Sequence, residues 1–189
     1  MLRWRRWRVA AALAFVLAAF GLRVPLEAQL DAHFPDATPR SLAHFLSDFT
    51  NYPRLYRHIG AWQLEREASN YTTWTYAVRY ECGSRCDGVV ELSAHDERAP
   101  LVHCLVLNDE RCTRLPLLPL RWCVALEVRS EVTAGGARGG ALLRERARLW
   151  CGVFHLLVGE ACAPVALRDI HLRALRTLTS FTNIQTNKN

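Results

Sequence analysis

Lysine is nearly missing from this chain. It occurs once, at Lys188, so almost all positive charge is arginine. That bias belongs to composition and implies little about function. No apolar run reaches the ~20 residues a membrane-spanning helix needs. The longest candidate, Val9 to Leu22, has 14 apolar or small residues and is stopped by Arg23. No Gly-x-Ser-x-Gly, His-Glu-x-x-His or phosphate-binding glycine loop occurs, so those motifs support no hydrolase, metallopeptidase or nucleotide-binding reading. The histidines, His33, His44, His58, His95, His103, His155 and His171, are scattered, and none sits in a recognisable nucleophile motif. There is no internal repeat and no low-complexity linker. The formal net charge of +6 comes mostly from Arg3, Arg5, Arg6 and Arg8. The rest is near neutral and has no nucleic-acid footprint.

What is present begins with that basic start. The leader, residues 1–28, joins it to a short apolar run and a small residue at Ala28, the pattern of a secretory signal peptide. The alternative is a signal-anchor that keeps residues 9–22 in a membrane, with Trp4 and Trp7 at the interface. Asn70-Tyr71-Thr72 is an N-glycosylation sequon. The seven cysteines are Cys82, Cys86, Cys104, Cys112, Cys123, Cys151 and Cys162. In an oxidising compartment most should pair, with one left over. The expected product is therefore a secreted or lumenal glycoprotein with disulfide bonds.

With 189 residues the chain can bury one core. Residues 24–37 read as a lead-in, with a first strand near Ala28–Phe34. Thr38 and Pro39 suit the N-cap and first position of a helix. Leu42, Phe45, Leu46 and Phe49 then share one helical face. Pro53 ends that helix or starts a short second one, about Pro53–His58. Strands follow at Trp62–Glu67, Tyr71–Glu81, Asp87–Ala94, Leu101–Leu107, Arg121–Val132 and Ala141–Cys151. Asn108-Asp109 reads as the end of the fourth of these. Short connections between alternating strands argue an antiparallel meander. Leu167, Ile170, Ala174, Leu178 and Phe181 repeat at helical spacing in a closing helix, Pro164–Phe181. The domain is expected over residues 29–182, with a polar tail over 183–189.

The helix Ser41–Phe49, the element Asp48-x-x-x-Tyr52-Pro53, the meander and the long last helix together resemble the START-like superfamily. The resemblance is specifically to its polyketide cyclase/dehydrase and coenzyme Q-binding (SRPBCC) branch. The resemblance implies an α+β helix-grip fold: a curved antiparallel sheet wrapped around the last helix, with two short N-terminal helices and an apolar cavity. It carries over no catalytic residue, cofactor or metal. Gly60-Ala61-Trp62 and Asn108-Asp109 also suggest a lipocalin, but a chain ending on its main helix does not suit one.

The function implied is binding, and transport, of a small hydrophobic ligand such as a lipid, sterol or isoprenoid. A cyclase/dehydratase-type enzyme is the alternative, with His103 and His171 as the candidate acid or base. A disulfide-stapled surface interaction domain without a cavity is a third. The cavity candidates are Trp74, Tyr76, Tyr80, His103, Trp122, Leu126, His171 and Leu178. Cys82 with Cys86 would clip a hairpin tip. Cys151 with Cys162 would join the last strand to the last helix. Of the remaining three, Cys104 with Cys123 is the expected pair, leaving Cys112 free. Metal binding at Cys82 and Cys86 would need two further donors, so no metal site is assigned. Arg129, Arg144, Arg146 and Arg148 are candidates for a membrane-surface contact, set against a solvated strand face with Glu127 and Glu131.

Overall fold

The computed structural model describes residues 22–70, 72–98, 101–114, 121–152 and 162–186, together with Trp7, Arg8, Ala11 and Ala14. Its elements are β1 (Arg23–Phe34), α1 (Pro39–Ser47), a 3₁₀ turn (Phe49–Asn51), α2 (Tyr52–Leu55), β2 (Trp62–Ser69), β3 (Thr73–Glu81), β4 (Cys86–Arg98), β5 (Leu101–Arg114), β6 (Arg121–Ala134), β7 (Ala141–Gly152) and α3 (Pro164–Thr186). The strands form one antiparallel sheet in the order β1-β7-β6-β5-β4-β3-β2. β1 and β2 are thus opposite edges, although only α1, the 3₁₀ turn and α2 separate them in sequence. The sheet is open and curved, and the α+β fold is a helix grip, not a closed lipocalin barrel.

Local chemistry sets the start of this arrangement. Thr38 Oγ1 accepts from Ser41 N at 3.1 Å, and Ser41 Oγ accepts from Thr38 N at 3.0 Å, closing a capping box ahead of Pro39. Asp48 Oδ1 then accepts from Thr50 N at 2.9 Å and caps the 3₁₀ turn. Tyr52 donates to Leu46 O at 3.0 Å, and its ring stacks on Phe49 at 4.9 Å. The Asp48-x-x-x-Tyr52-Pro53 element therefore folds the chain back on α1 and turns it toward the sheet.

One face of the sheet is apolar. Val90, Leu92, Leu105, Val132 and Leu143 pack with Leu42, Leu46 and Phe49 from the helical segment and with Leu172 and Leu175 from α3. The edge strand β2 is exposed throughout, and it carries Glu65, Arg66 and Glu67 beside an irregularity between Leu64 and Arg66. Charge and a bulge are ordinary protection for an edge. At the β6–β7 turn Gly140 has φ +72°, and a Cβ there would lie 2.3 Å from Phe34 O, so glycine is required.

Two expectations are corrected here. β5 does not end at Asn108-Asp109 but runs on to Arg114. Asp109 pairs with Val90 on one side and Leu126 on the other, and two ladders outweigh a local turn preference. The longer strand also changes the disulfide map. Cys112 lies directly across from Cys123 and bonds to it, with Cα atoms 4.0 Å apart. Cys104 instead faces Glu131 and is the free cysteine. Cys82–Cys86 and Cys151–Cys162 are bonded as expected.

β1 begins at Arg23 and pairs with β7 from its first residue. The start of the leader-free domain at residue 29 therefore falls inside a strand. Residues 183–186 of the expected tail continue α3, while 187–189 lie outside the described residues. Asn70 is exposed at the β2–β3 turn, where its Oδ1 accepts from Thr72 N at 2.9 Å and Thr73 N at 2.7 Å. Among the described residues no helix is long and apolar enough to cross a membrane. The three disulfides are compatible with an extracellular or lumenal location.

Candidate functional site

A cavity of about 560 Å³ lies between the sheet, the α1–α2 segment and α3. That volume is ordinary for a small-molecule site. Its walls are mostly apolar: Leu92, Leu105, Leu107, Val128, Leu149 and Leu167 are typical. A domain that has lost any cavity does not match this space. Into these walls project two groups of polar side chains.

The first group sits where β7 meets α3. Strand alternation turns Glu145 inward, between Leu143 and Ala147, while Arg144 and Arg146 face solvent. Glu145 and Arg168 are 2 % and 7 % exposed at their side chains. Arg168 Nη2 donates to both Glu145 oxygens at 2.6 Å, and its Nε donates to Oε2 at 3.0 Å. Ser130 adds a 3.2 Å hydrogen bond to Oε1. Burial works to raise the Glu145 carboxyl, but Arg168, His171 and the hydrogen bonds outweigh it and hold it below its ordinary value. The same partnership raises Arg168 despite its burial.

His171, one helical turn beyond Arg168, completes the group. Its Nδ1 lies 2.7 Å from Tyr56 Oη, and the two rings stack at 5.6 Å. Burial, then the nearby Arg168 charge, push His171 down to about 3, against a smaller upward pull from Glu145. The imidazole is therefore neutral at physiological pH. Its Nε2 is buried, has no hydrogen-bond partner among the described residues, and stands 3.8 Å from Glu145 Oε1. In the tautomer in which Tyr56 donates to Nδ1, the imidazole proton sits on Nε2. The His171 side chain lines the cavity.

The second group is on β3 and β5. Tyr80 donates to Asp109 Oδ1 at 2.8 Å. Burial pushes the Asp109 carboxyl up to about 6, although the Tyr80 bond and Arg111 act to lower it. Gly88 permits this geometry: a Cβ there would lie 2.4 Å from the Tyr80 ring. Arg111 Nη1 lies 3.4 Å from His58 Nε2 at the rim.

Of the residues expected from the sequence, Tyr80, Leu126 and His171 line the cavity. Tyr76 sits behind it, donating to Ser47 O at 2.6 Å and accepting from Phe49 N at 2.9 Å. Trp74 donates from Nε1 to Glu67 at the edge of the sheet. His103 is buried against Asp96, with Nδ1 2.6 Å from Oδ1. Trp122 lies in a separate surface depression beside Cys82 and Cys86. Leu178 packs against the core from α3. Sequence reading missed Tyr56, Asp109, Glu145 and Arg168. For Glu145 the signal was available: it is the acid on the inward register of an otherwise apolar strand face.

No family model and no curated protein matches this chain. Solved structures do. A STAR-related lipid transfer protein from Xanthomonas axonopodis superposes with a TM-score of 0.51 at 12% identity, covering 82% of this chain and 85% of that one. A hypothetical protein from Helicobacter pylori gives 0.50 at 10% identity, covering 82% and 88%. The lipid transfer and protein localization domain of human StarD13 gives 0.48 at 12% identity, covering 81% and 75%. The chain thus has the helix-grip fold of the Xanthomonas axonopodis STAR-related protein.

Proposed function

We propose that this domain binds and carries a small, largely apolar ligand bearing one hydrogen-bond acceptor, such as a sterol, isoprenoid or lipid with a hydroxyl or carbonyl oxygen. The observation that carries this reading is the cavity itself, mostly apolar in its walls and lined also by His171, whose Nε2 has no hydrogen-bond partner among the described residues. A buried donor without a partner costs ~1–3 kcal/mol, which a ligand oxygen would recover. The apolar walls would supply most of the affinity, at ~25 cal/mol per Å² buried. No cofactor enters the reading. Asn70 and the leader support delivery through the secretory route, where the disulfides would form.

A cyclase/dehydratase-type enzyme is the second reading, favoured by one observation: a cavity histidine stands beside a carboxylate. The geometry weighs against it. Both Glu145 oxygens are already bound by Arg168, and a histidine held near 3 is a weak base.

The test is native mass spectrometry of the full chain from a secretory host, followed by organic extraction. A stoichiometric adduct that extracts as a lipid is expected. His171→Leu should weaken binding of a hydroxyl- or carbonyl-bearing lipid by about tenfold, the loss of one ordinary hydrogen bond. Its hydrocarbon analogue should be unaffected. Val128→Trp, which fills the cavity, should abolish both. An apo mass after incubation with mixed lipids would overturn the carrier. Chemical conversion of the captured molecule would favour the enzyme.

A further inference from the structure

The cysteine left over from the disulfides is not isolated. Cys104 lies directly across from His95 in the β4–β5 ladder and across from Glu131 in the β5–β6 ladder. Glu97 is two residues beyond His95 and projects from the same face. This is the convex face of the sheet, opposite the cavity. The ligating atoms of His95, Glu97 and Cys104 all lie within 4.8 Å of one another, with His95 and Cys104 half-buried and Glu97 exposed.

We propose that His95, Glu97 and Cys104 form a zinc site, with Glu131 as the fourth ligand. Imidazole, thiolate and carboxylate together are a donor set that zinc accepts, and four ligands give its closed tetrahedral structural form. Calcium and magnesium would not select sulfur and nitrogen. Electrostatics point the same way. Glu97 is in the cluster and Glu131 stands directly across from Cys104, so carboxylates flank the thiol on two strands. A dication offsets that charge and takes the thiol as thiolate, releasing its proton to solvent. The other sulfur-containing cluster, Glu110 with Cys112 and Cys123, is no competitor, because both its cysteines are in a disulfide. The metal would tie β4, β5 and β6 together at the end of the sheet where no disulfide does so. The site is independent of the cavity and of whatever ligand fills it.

The experiment uses the full chain with its disulfides intact, stripped with chelator and titrated with Co²⁺. A tetrahedral site with a thiolate gives intense d–d absorption and a near-ultraviolet sulfur-to-cobalt band. Stoichiometric Zn²⁺ should displace both. Cys104→Ser should lose the near-ultraviolet band. Its zinc affinity should fall by more than the ~10-fold that losing even an outer-shell partner costs. His95→Gln should weaken binding as strongly while leaving a sulfur band at high cobalt. Metal-free thermal midpoints of both variants should match the parent, since these side chains lie outside the core. Absence of the cobalt spectrum in the parent protein would overturn the site, as would an unchanged spectrum in either variant.

Discussion

Two arginine–carboxylate pairs in this molecule look alike and do different things. Arg168–Glu145 closes at 2.6 Å with side chains 7 % and 2 % exposed. Arg148–Glu27 closes at 2.7 Å with side chains 50 % and 65 % exposed. Both involve β7, on opposite faces of the same strand. The bond lengths do not separate them; the solvent does. On the convex face water screens each charge and would solvate it equally well unpaired, so such pairs contribute ~0–1 kcal/mol. On the concave face water is excluded, and each charge depends on the other. The buried pair is therefore not a large net stabiliser. It is a mutual obligation, costly to break and replaceable only as a unit.

The sharpest way to break that contrast is Arg168→Met. It strands a buried carboxylate and should destabilise the fold by about 3–5 kcal/mol. The double variant Arg168→Met with Glu145→Leu should recover most of the loss, since the uncompensated charge is gone. Denaturant unfolding of the parent, the single and the double variants measures both. A double variant no better than the single would mean that the pair is itself the stabiliser.

The next largest effect is titration on the concave face. His171 is held at about 3, below its unfolded value of 6.5. The unfolded chain binds its proton first, so its contribution is complete above pH 6.5 and is lost as pH falls toward 3. That loss is at most about 5 kcal/mol, at ~1.36 kcal/mol per pH unit. His171→Phe should flatten this part of the acid-unfolding curve. Asp109 works in the opposite sense. Its folded value of about 6 exceeds the 3.8 of an ordinary carboxylate, so its ionised form costs stability at neutral pH and the cost fades as pH falls from 6 to 4. Asp109→Asn, which keeps an acceptor for Tyr80, should be more stable than the parent by about 1–3 kcal/mol at pH 7. The advantage should vanish near pH 4. A constant advantage across that range would show that Asp109 is not buried as an acid.

The same division between faces decides what was readable in the sequence. Period-two alternation in Tyr76–Tyr80 and in the Arg144–Arg148 stretch assigns faces without any structure. Thr38-Pro39 and the Leu42–Phe49 stripe likewise mark α1. The sheet order and the cavity's mixed polar end depend on something else: which strand lies opposite which. Asp109 was hidden because Asn-Asp is locally a turn signal, and only pairing with β4 and β6 keeps it extended. The same extension sets Cys112 against Cys123 and frees Cys104. Arg168 was hidden for a different reason. On a helix read by hydropathy alone an arginine belongs to solvent, and only its partner on β7 turns it inward. Groups that meet across long separations in sequence leave a trace in each segment, but not the meeting.

The smallest predicted effect tests the other half of the contrast. Arg148→Ala removes the exposed partner of Glu27 and should change stability by less than ~1 kcal/mol. Part of even that would be lost packing, because the Arg148 guanidinium also lies 5.9 Å from the centre of the Trp150 ring. Raising the salt concentration separates the two contributions. Screening erases the charge pair at a Debye length of ~3 Å in 1 M salt but leaves the contact with the ring. If Arg148→Ala costs as much as Arg168→Met, then burial is not what distinguishes these pairs. The mutual-obligation account of the concave face would fail with it.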